Sequence, residues 1–151
     1  MAVSDSKKTS EYDLQAGNGS YNNSSNTFKW VIITDSYTAI DAEATAIGID
    51  NYTKVPSSGN YVQDTDLANV TWTKSGAVST LDYDDFNFAS DPANPITGKT
   101  IAVYNDTSTN KDVFKFIDLT IDGGTTPADT TLGLNFTVNA AGSGTITTTT
   151  T

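Results

Sequence analysis

Residues 28–33 read Phe-Lys-Trp-Val-Ile-Ile, and this run restricts the fold more than any other segment. In an extended chain successive side chains point to opposite faces, so Phe28, Trp30 and Ile32 share one face and Val31 and Ile33 the other. A strand that is apolar on both faces beyond Lys29 has to lie inside a sheet that is covered on each side. Residues 113–121 repeat the pattern, with Val113, Phe114, Phe116, Ile117 and Leu119 serving both faces. Between and beyond these runs the apolar residues alternate with polar ones. Val70, Trp72 and Lys74 alternate against Asn69, Thr71 and Thr73, which predicts a half-buried strand. Ile101 and Val103 lead into a polar turn, and Leu132, Leu134, Phe136 and Val138 alternate in the same way.

Turn chemistry separates the strands: Pro56-Ser57-Ser58-Gly59-Asn60, Asp91-Pro92-Ala93-Asn94-Pro95, Asn105-Asp106-Thr107-Ser108 and Asp122-Gly123-Gly124. About eight short strands spaced by such turns predict an all-β chain, a single β-sandwich or jelly-roll-like domain with at most one short helix. The helix candidate is residues 39–49, where Ile40, Ala44 and Ile47 fall at i, i+4 and i+7. Residues 1–26 read as a polar N-terminal leader or arm, 27–142 as the β-domain and 143–151 as a Thr-rich tail. The tail is expected to fray, with an edge strand as the alternative.

Composition narrows the chemistry. Thr (26), Ser (14) and Asn (13) make up about a third of the 151 residues, and Cys, His and Arg are absent. Zinc and Fe–S sites built on Cys or His are therefore excluded, as are Ser–His–Asp and Cys–His catalysis and disulfide staples. All eight cations are lysines against 16 Asp and 2 Glu, a net charge of −10. Such a chain is not expected to grip nucleic acid, which calls for Lys and Arg clusters. No apolar run approaches the roughly 20 residues of a membrane-spanning helix. Residues 1–14 lack an apolar signal-peptide core, so conventional secretion is not expected.

Few residue groups suggest a site. Asp82, Asp84 and Asp85 form the densest acidic cluster, and oxygen ligands at that spacing suit Ca²⁺. The glycine and distal Glu of an EF-hand are missing, and the plain reading is a solvated turn, so no metal and no cofactor is expected. Paired carboxylates can hydrolyse glycosides without His, yet nothing singles out a pair among sixteen scattered Asp. The expectation is a chain that is not an enzyme. Seven Asn-x-Ser/Thr triplets, beginning at Asn18, Asn22, Asn23, Asn51, Asn69, Asn105 and Asn135, mostly reflect composition. The seven tyrosines include possible stacking platforms for sugars, although such residues more often line a core edge or an interface.

Several motifs in order resemble a family of small tailed-bacteriophage virion proteins. They are the start Met1-Ala2-Val3, residues 27–37 (TFKWVIITDSY), 55–61 (VPSSGNY), 67–72 (LANVTW), 81–88 (LDYDDFNF), 101–106 (IAVYND), 116–119 (FIDL) and 134–142 (LNFTVNAAG). The resemblance implies a β-sandwich or jelly-roll virion component. Within that class the expectation is a capsid decoration, or cement, protein on the outer capsid surface, made in the host cytoplasm. Its expected partners are the major capsid protein and copies of itself, with a trimer as the first guess. Lys7, Lys8 and Tyr12 in the leader are the candidate docking arm. The alternative is a tail, neck or fibre component that binds a receptor or carbohydrate. A secreted carbohydrate-binding module is a third reading, which the missing signal peptide opposes.

Overall fold

The run that opens the argument forms the middle of a sheet. The computed structural model describes residues 6–42, 47–84, 86–88, 91, 93–94, 96–119, 130–132, 136–138 and 146–149. In chain order they carry β1 (Ser6–Lys8), α1 (Glu11–Gly17), β2 (Phe28–Ile33), β3 (Thr65–Asp66), β4 (Thr71–Ser75), β5 (Val78–Asp82) and β6 (Phe86–Phe88). Then come β7 (Ile96–Gly98), β8 (Thr100–Asn105), β9 (Val113–Asp118), β10 (Thr130–Leu132), β11 (Phe136–Val138) and β12 (Ile146–Thr149). The chain is all-β in a single domain, and the described residues add one short helix and two 3-10 turns, Tyr37–Ala39 and Ile49–Asn51.

A five-stranded antiparallel sheet in the order β1-β9-β8-β2-β3 forms the centre. Every residue of β2, β8 and β9 is buried except Lys29. One face carries Phe28, Trp30, Ile32, Ile101 and Val103, which pack with Leu81 of β5, Tyr12 of α1, and Val55 and Tyr61. The smaller sheet β12-β5-β4 thus reaches the core through Leu81, giving a sandwich-like arrangement. The other face carries Val31, Ile33, Ala102, Tyr104 and Phe116, and irregular chain covers it through Tyr37, Ile40, Ile47 and Ile49. Burying such side chains contributes about 1.5–3 kcal/mol each, so both covers are strongly held.

Two details fit the sheet to its layers. Between Val103↔Lys115 and Tyr104↔Val113 the ladder slips, leaving Phe114 as an extra residue on β9. This bulge turns Phe114 into the first-face core, where it meets Phe28 edge-on at 5.4 Å and Tyr12 at 5.5 Å. Strand β3 is only two residues long, and beyond it the Tyr61 hydroxyl accepts from the Ile32 N–H (3.0 Å). Val55 N–H donates to the Ile32 carbonyl (2.8 Å), so β2 is paired where its neighbouring strand has ended.

The structure departs from the sequence reading in three places. Residues 39–49 hold no α-helix among those described; Ile40, Ile47 and Ile49 instead reach the sheet from irregular chain and a 3-10 turn. Gly48 bridges Asp112, and a Cβ there would lie 2.7 Å from the Asn110 carbonyl oxygen. In β4 only Trp72 is partly buried, while Thr71, Thr73, Lys74 and Ser75 are exposed. The Thr-rich end, expected to fray, supplies β12, paired with β5. The Asp122-Gly123-Gly124 turn lies outside the described residues.

Candidate functional site

Lys29 is the one residue of β2 that is not buried, and register explains the company it keeps. It stands between Tyr104 of β8 and Asp66 of β3 in a row across the sheet. Its ammonium lies 3.1 Å from Asp106 and 3.8 Å from Asp66, and Lys111 approaches Asp106 at 3.2 Å. Beside them Lys54 lies 3.3 Å from Asp64 and 3.7 Å from Asp50, and 5.5 Å from the centre of the Tyr104 ring. The Tyr104 hydroxyl donates to Asp64 (3.0 Å). Three lysines and four aspartates thus tie together β2 and the segments 50–54, 64–66 and 106–111.

The electrostatics follow from this lattice. The hydrogen bond to Asp106 raises the Lys29 pKa. Burial pushes the Asp106 carboxyl up, but the Lys29 and Lys111 ammonium groups outweigh it and hold it below the usual carboxylate value. Burial, followed by the bond to Asp64, pushes the Tyr104 hydroxyl up. Asp64 and Lys111 occupy the left-handed region (φ 58° and 52°), and each is held there within an ion pair. A groove of about 670 Å³ opens beside the lattice, lined by Lys29, Trp30, Val62, Asp64, Thr65 and Asp66 among others. An Asp106 carboxyl held low is an acceptor at neutral pH, not a general acid.

The residues singled out from sequence fall elsewhere. Asp82 and Asp84 are both exposed and flank the buried Tyr83; Asp84 accepts from Asn69 Nδ2 (2.7 Å). Asp85 lies outside the described residues. Among the described residues no group of three or more acidic side chains is placed to hold a metal ion.

The docking arm is not an arm in this structure. Lys7 and Lys8 belong to β1, which pairs with β9 at the sheet edge. Lys7 Nζ donates to the carbonyls of Tyr37 (2.6 Å) and Ile40 (2.8 Å) and sits over the Tyr37 ring at 4.3 Å. It fastens the second-face cover to the sheet. Lys8 pairs with Asp13 at 2.5 Å. Tyr12 is fully buried, and burial pushes its hydroxyl up to about 12 although Asn23 donates to it (3.0 Å). Polar composition hid this docking because a few aromatic anchors suffice to seat a short segment.

The Asn-x-Ser/Thr triplets carried a structural signal that composition masked. Asn18 accepts from Ser20 N–H, Asn22 from Ser24 N–H and Asn105 from Thr107 N–H, each two residues on. These are Asx turns, in which the side chain stands in for a backbone acceptor. The first two pin loop 18–24, whose inner wall faces Trp72 across a recess.

No protein-family model matches the chain, and no curated protein and no solved structure matches it either.

Proposed function

We propose that this domain is a non-enzymatic structural protein of a tailed-phage virion, a capsid decoration protein that binds the outer shell in many copies. The observation that carries the reading is the lysine–aspartate lattice, in which ionisable groups of four chain segments are paired with one another and brace the fold. The motifs that resemble phage virion proteins coincide with that braced sheet: 27–37 includes β2, 101–106 includes β8 and 116–119 ends β9. A net charge of −10 and a hydroxyl- and amide-rich surface suit a part displayed on the outside of a particle. Copies that bind only the assembled shell stabilise it by mass action, so the gain grows with affinity and number. The partners in this reading are the major capsid protein and further copies of the chain, with a trimer matching a three-fold position.

The test is a count of copies in purified particles by quantitative mass spectrometry. The reading expects on the order of hundreds per particle, as repeated shell positions require. A value near roughly six or twelve assigns the chain to the tail, neck or fibre instead, where ring symmetry sets the number. Absence from the particles overturns the virion assignment altogether.

A further inference from the structure

We infer that the recess between loop 18–24 and Trp72 binds a neutral saccharide. This inference is independent of where in a particle the chain sits. The recess encloses about 350 Å³ and is lined by Gly19, Tyr21, Asn22, Asn23, Ser24 and Trp72, with Ala16 at its side. That volume falls at the small end of the range for small-molecule sites, about 300–1,000 Å³. Among the described residues that line it none is charged, although the chain carries a net charge of −10. The chemistry is aromatic, amide and hydroxyl, which suits an uncharged polyol with one apolar face.

Three observations support a built site. The first is a buried amide short of a partner. Asn23 is 9% exposed and its Nδ2 donates to the Tyr12 hydroxyl (3.0 Å), while Oδ1 finds no hydrogen-bond partner among the described residues. The Tyr12 hydroxyl can donate or accept, so turning the amide over leaves its other polar atom without a partner. The unpartnered atom is itself covered, so a ligand hydroxyl meets it only if the Asn23 amide turns toward the recess that the residue lines.

The second is the platform. Trp72 alone on β4 is partly buried, while its strand neighbours face solvent. It packs at the margin of the core and presents the rest of its indole to the recess. A flat aromatic surface beside a few fixed polar groups is the general pattern of a small-ligand site, and the C–H face of a pyranose is complementary to it.

The third is rigidity. Asn18 and Asn22 close Asx turns on Ser20 (3.0 Å) and Ser24 (3.1 Å). Tyr21 N–H donates to the Gln15 carbonyl (3.0 Å), Asn26 N–H to that of Asn22 (2.8 Å), and Gly19 supplies the left-handed turn residue (φ 81°). The wall is organised before any ligand arrives, which lowers the cost of binding. Because Asn22 Oδ1 serves its turn, its Nδ2 is left as the donor, and the exposed Ser24 hydroxyl can donate or accept.

The test uses the full chain and its tryptophan emission. Trp30 is 4% exposed, so a ligand-induced change reports Trp72. The probes are glucose, galactose, N-acetylglucosamine and maltose, with sialic acid and adenosine as anionic and nucleoside controls. A saturable change with at least one neutral sugar is expected; Trp72→Ala removes the reporter itself, so its expected loss of binding is read by isothermal titration calorimetry. Asn22→Asp keeps the acceptor for Ser24 N–H but removes the donor, and Ser24→Ala removes the hydroxyl. Each should weaken binding by roughly five- to tenfold, the scale of one net hydrogen bond, with an unchanged melting temperature. The two surface variants decide the matter even if Trp72→Ala does not fold. No saturation by any neutral sugar, affinity untouched by Asn22→Asp and Ser24→Ala, or preference for sialic acid or adenosine each overturns the inference.

Discussion

Residues 6–26 and residues 70–77 invert the roles that their composition suggests. The first stretch is mostly polar, yet Thr9, Tyr12, Tyr21 and Asn23 are buried and its strand completes one edge of the central sheet. The second shows clear alternation around Trp72, yet Thr71, Thr73, Lys74, Ser75, Gly76 and Ala77 all face solvent. Alternation and β-branched residues set the conformation of a segment, whereas burial depends on whether an opposing surface exists. Tyr12 has one in Phe114 and Tyr21; Thr73 and its neighbours, paired only within the β4–β5 hairpin, do not.

The strongest way to break this contrast is Tyr12→Ala, which removes the anchor of α1. We expect a loss of about 3–5 kcal/mol in urea unfolding, the range for a fully buried aromatic. A loss below about 1 kcal/mol would mean that the N-terminal stretch is only laid on the surface.

Lys115 probes the same junction, since it lies directly opposite Lys8 of β1. It is 4% exposed, and burial pushes its pKa from 10.5 down to about 8. Below pH 8 both folded and unfolded chains hold the proton and the burial cost is present in full. Above that the folded chain releases it first, so the unfolded state binds more protons and stability rises with pH. From pH 8 to 9 the gain is about 1 kcal/mol. Toward pH 10 it is offset and then reverses, because buried Tyr12 and Tyr61 are held up at about 12 while unfolded tyrosines ionise. Urea midpoints across this range measure the slope, and Lys115→Met should flatten the rising limb.

Lys7→Met keeps the aliphatic stem but loses both carbonyl contacts at the 37–40 turn. A cost of about 1.5–2 kcal/mol is expected from these charge-assisted hydrogen bonds. Amide exchange should quicken near Ile40 more than in β8, which would place the weakening in the second-face cover. At the other extreme Thr73→Ala on the exposed hairpin should shift stability by less than about 0.5 kcal/mol. A larger loss would show that the hairpin supports the core after all.

Legibility in the sequence followed the same divide. Strands β2 and β9 were readable because two apolar faces leave a strand no place except inside a sheet. The turns at 56–60 and 105–108 were readable from Gly, Pro and Asn chemistry. Helix α1 was not: seven residues with Tyr12 and Ala16 as its inward positions give too short a period to register. Among the described residues of 39–49 no α-helix forms, because Ile40 and Ile47, seven apart, can also dock individually on a sheet. The lysine–aspartate lattice joins residues up to 77 positions apart, Lys29 with Asp106, so no local pattern announces it. The saccharide recess was hidden for a different reason, since its asparagines looked like the common currency of the whole chain.

The order of strands in the central sheet also bears on how the protein is made. Among the described residues strand β1 pairs only with β9, and Thr9 hydrogen-bonds across 104 positions to Val113. A ribosome adding about 5–20 residues per second needs roughly 5–20 s to extend from β1 to the end of β9. During that interval β2 emerges with two oily faces and neither β8 nor a cover to receive them. Contacts this distant in the chain predict slow, largely post-synthetic closure of the sheet. Expression at lower temperature, or with more chaperone, should therefore raise the soluble yield more than any surface mutation does.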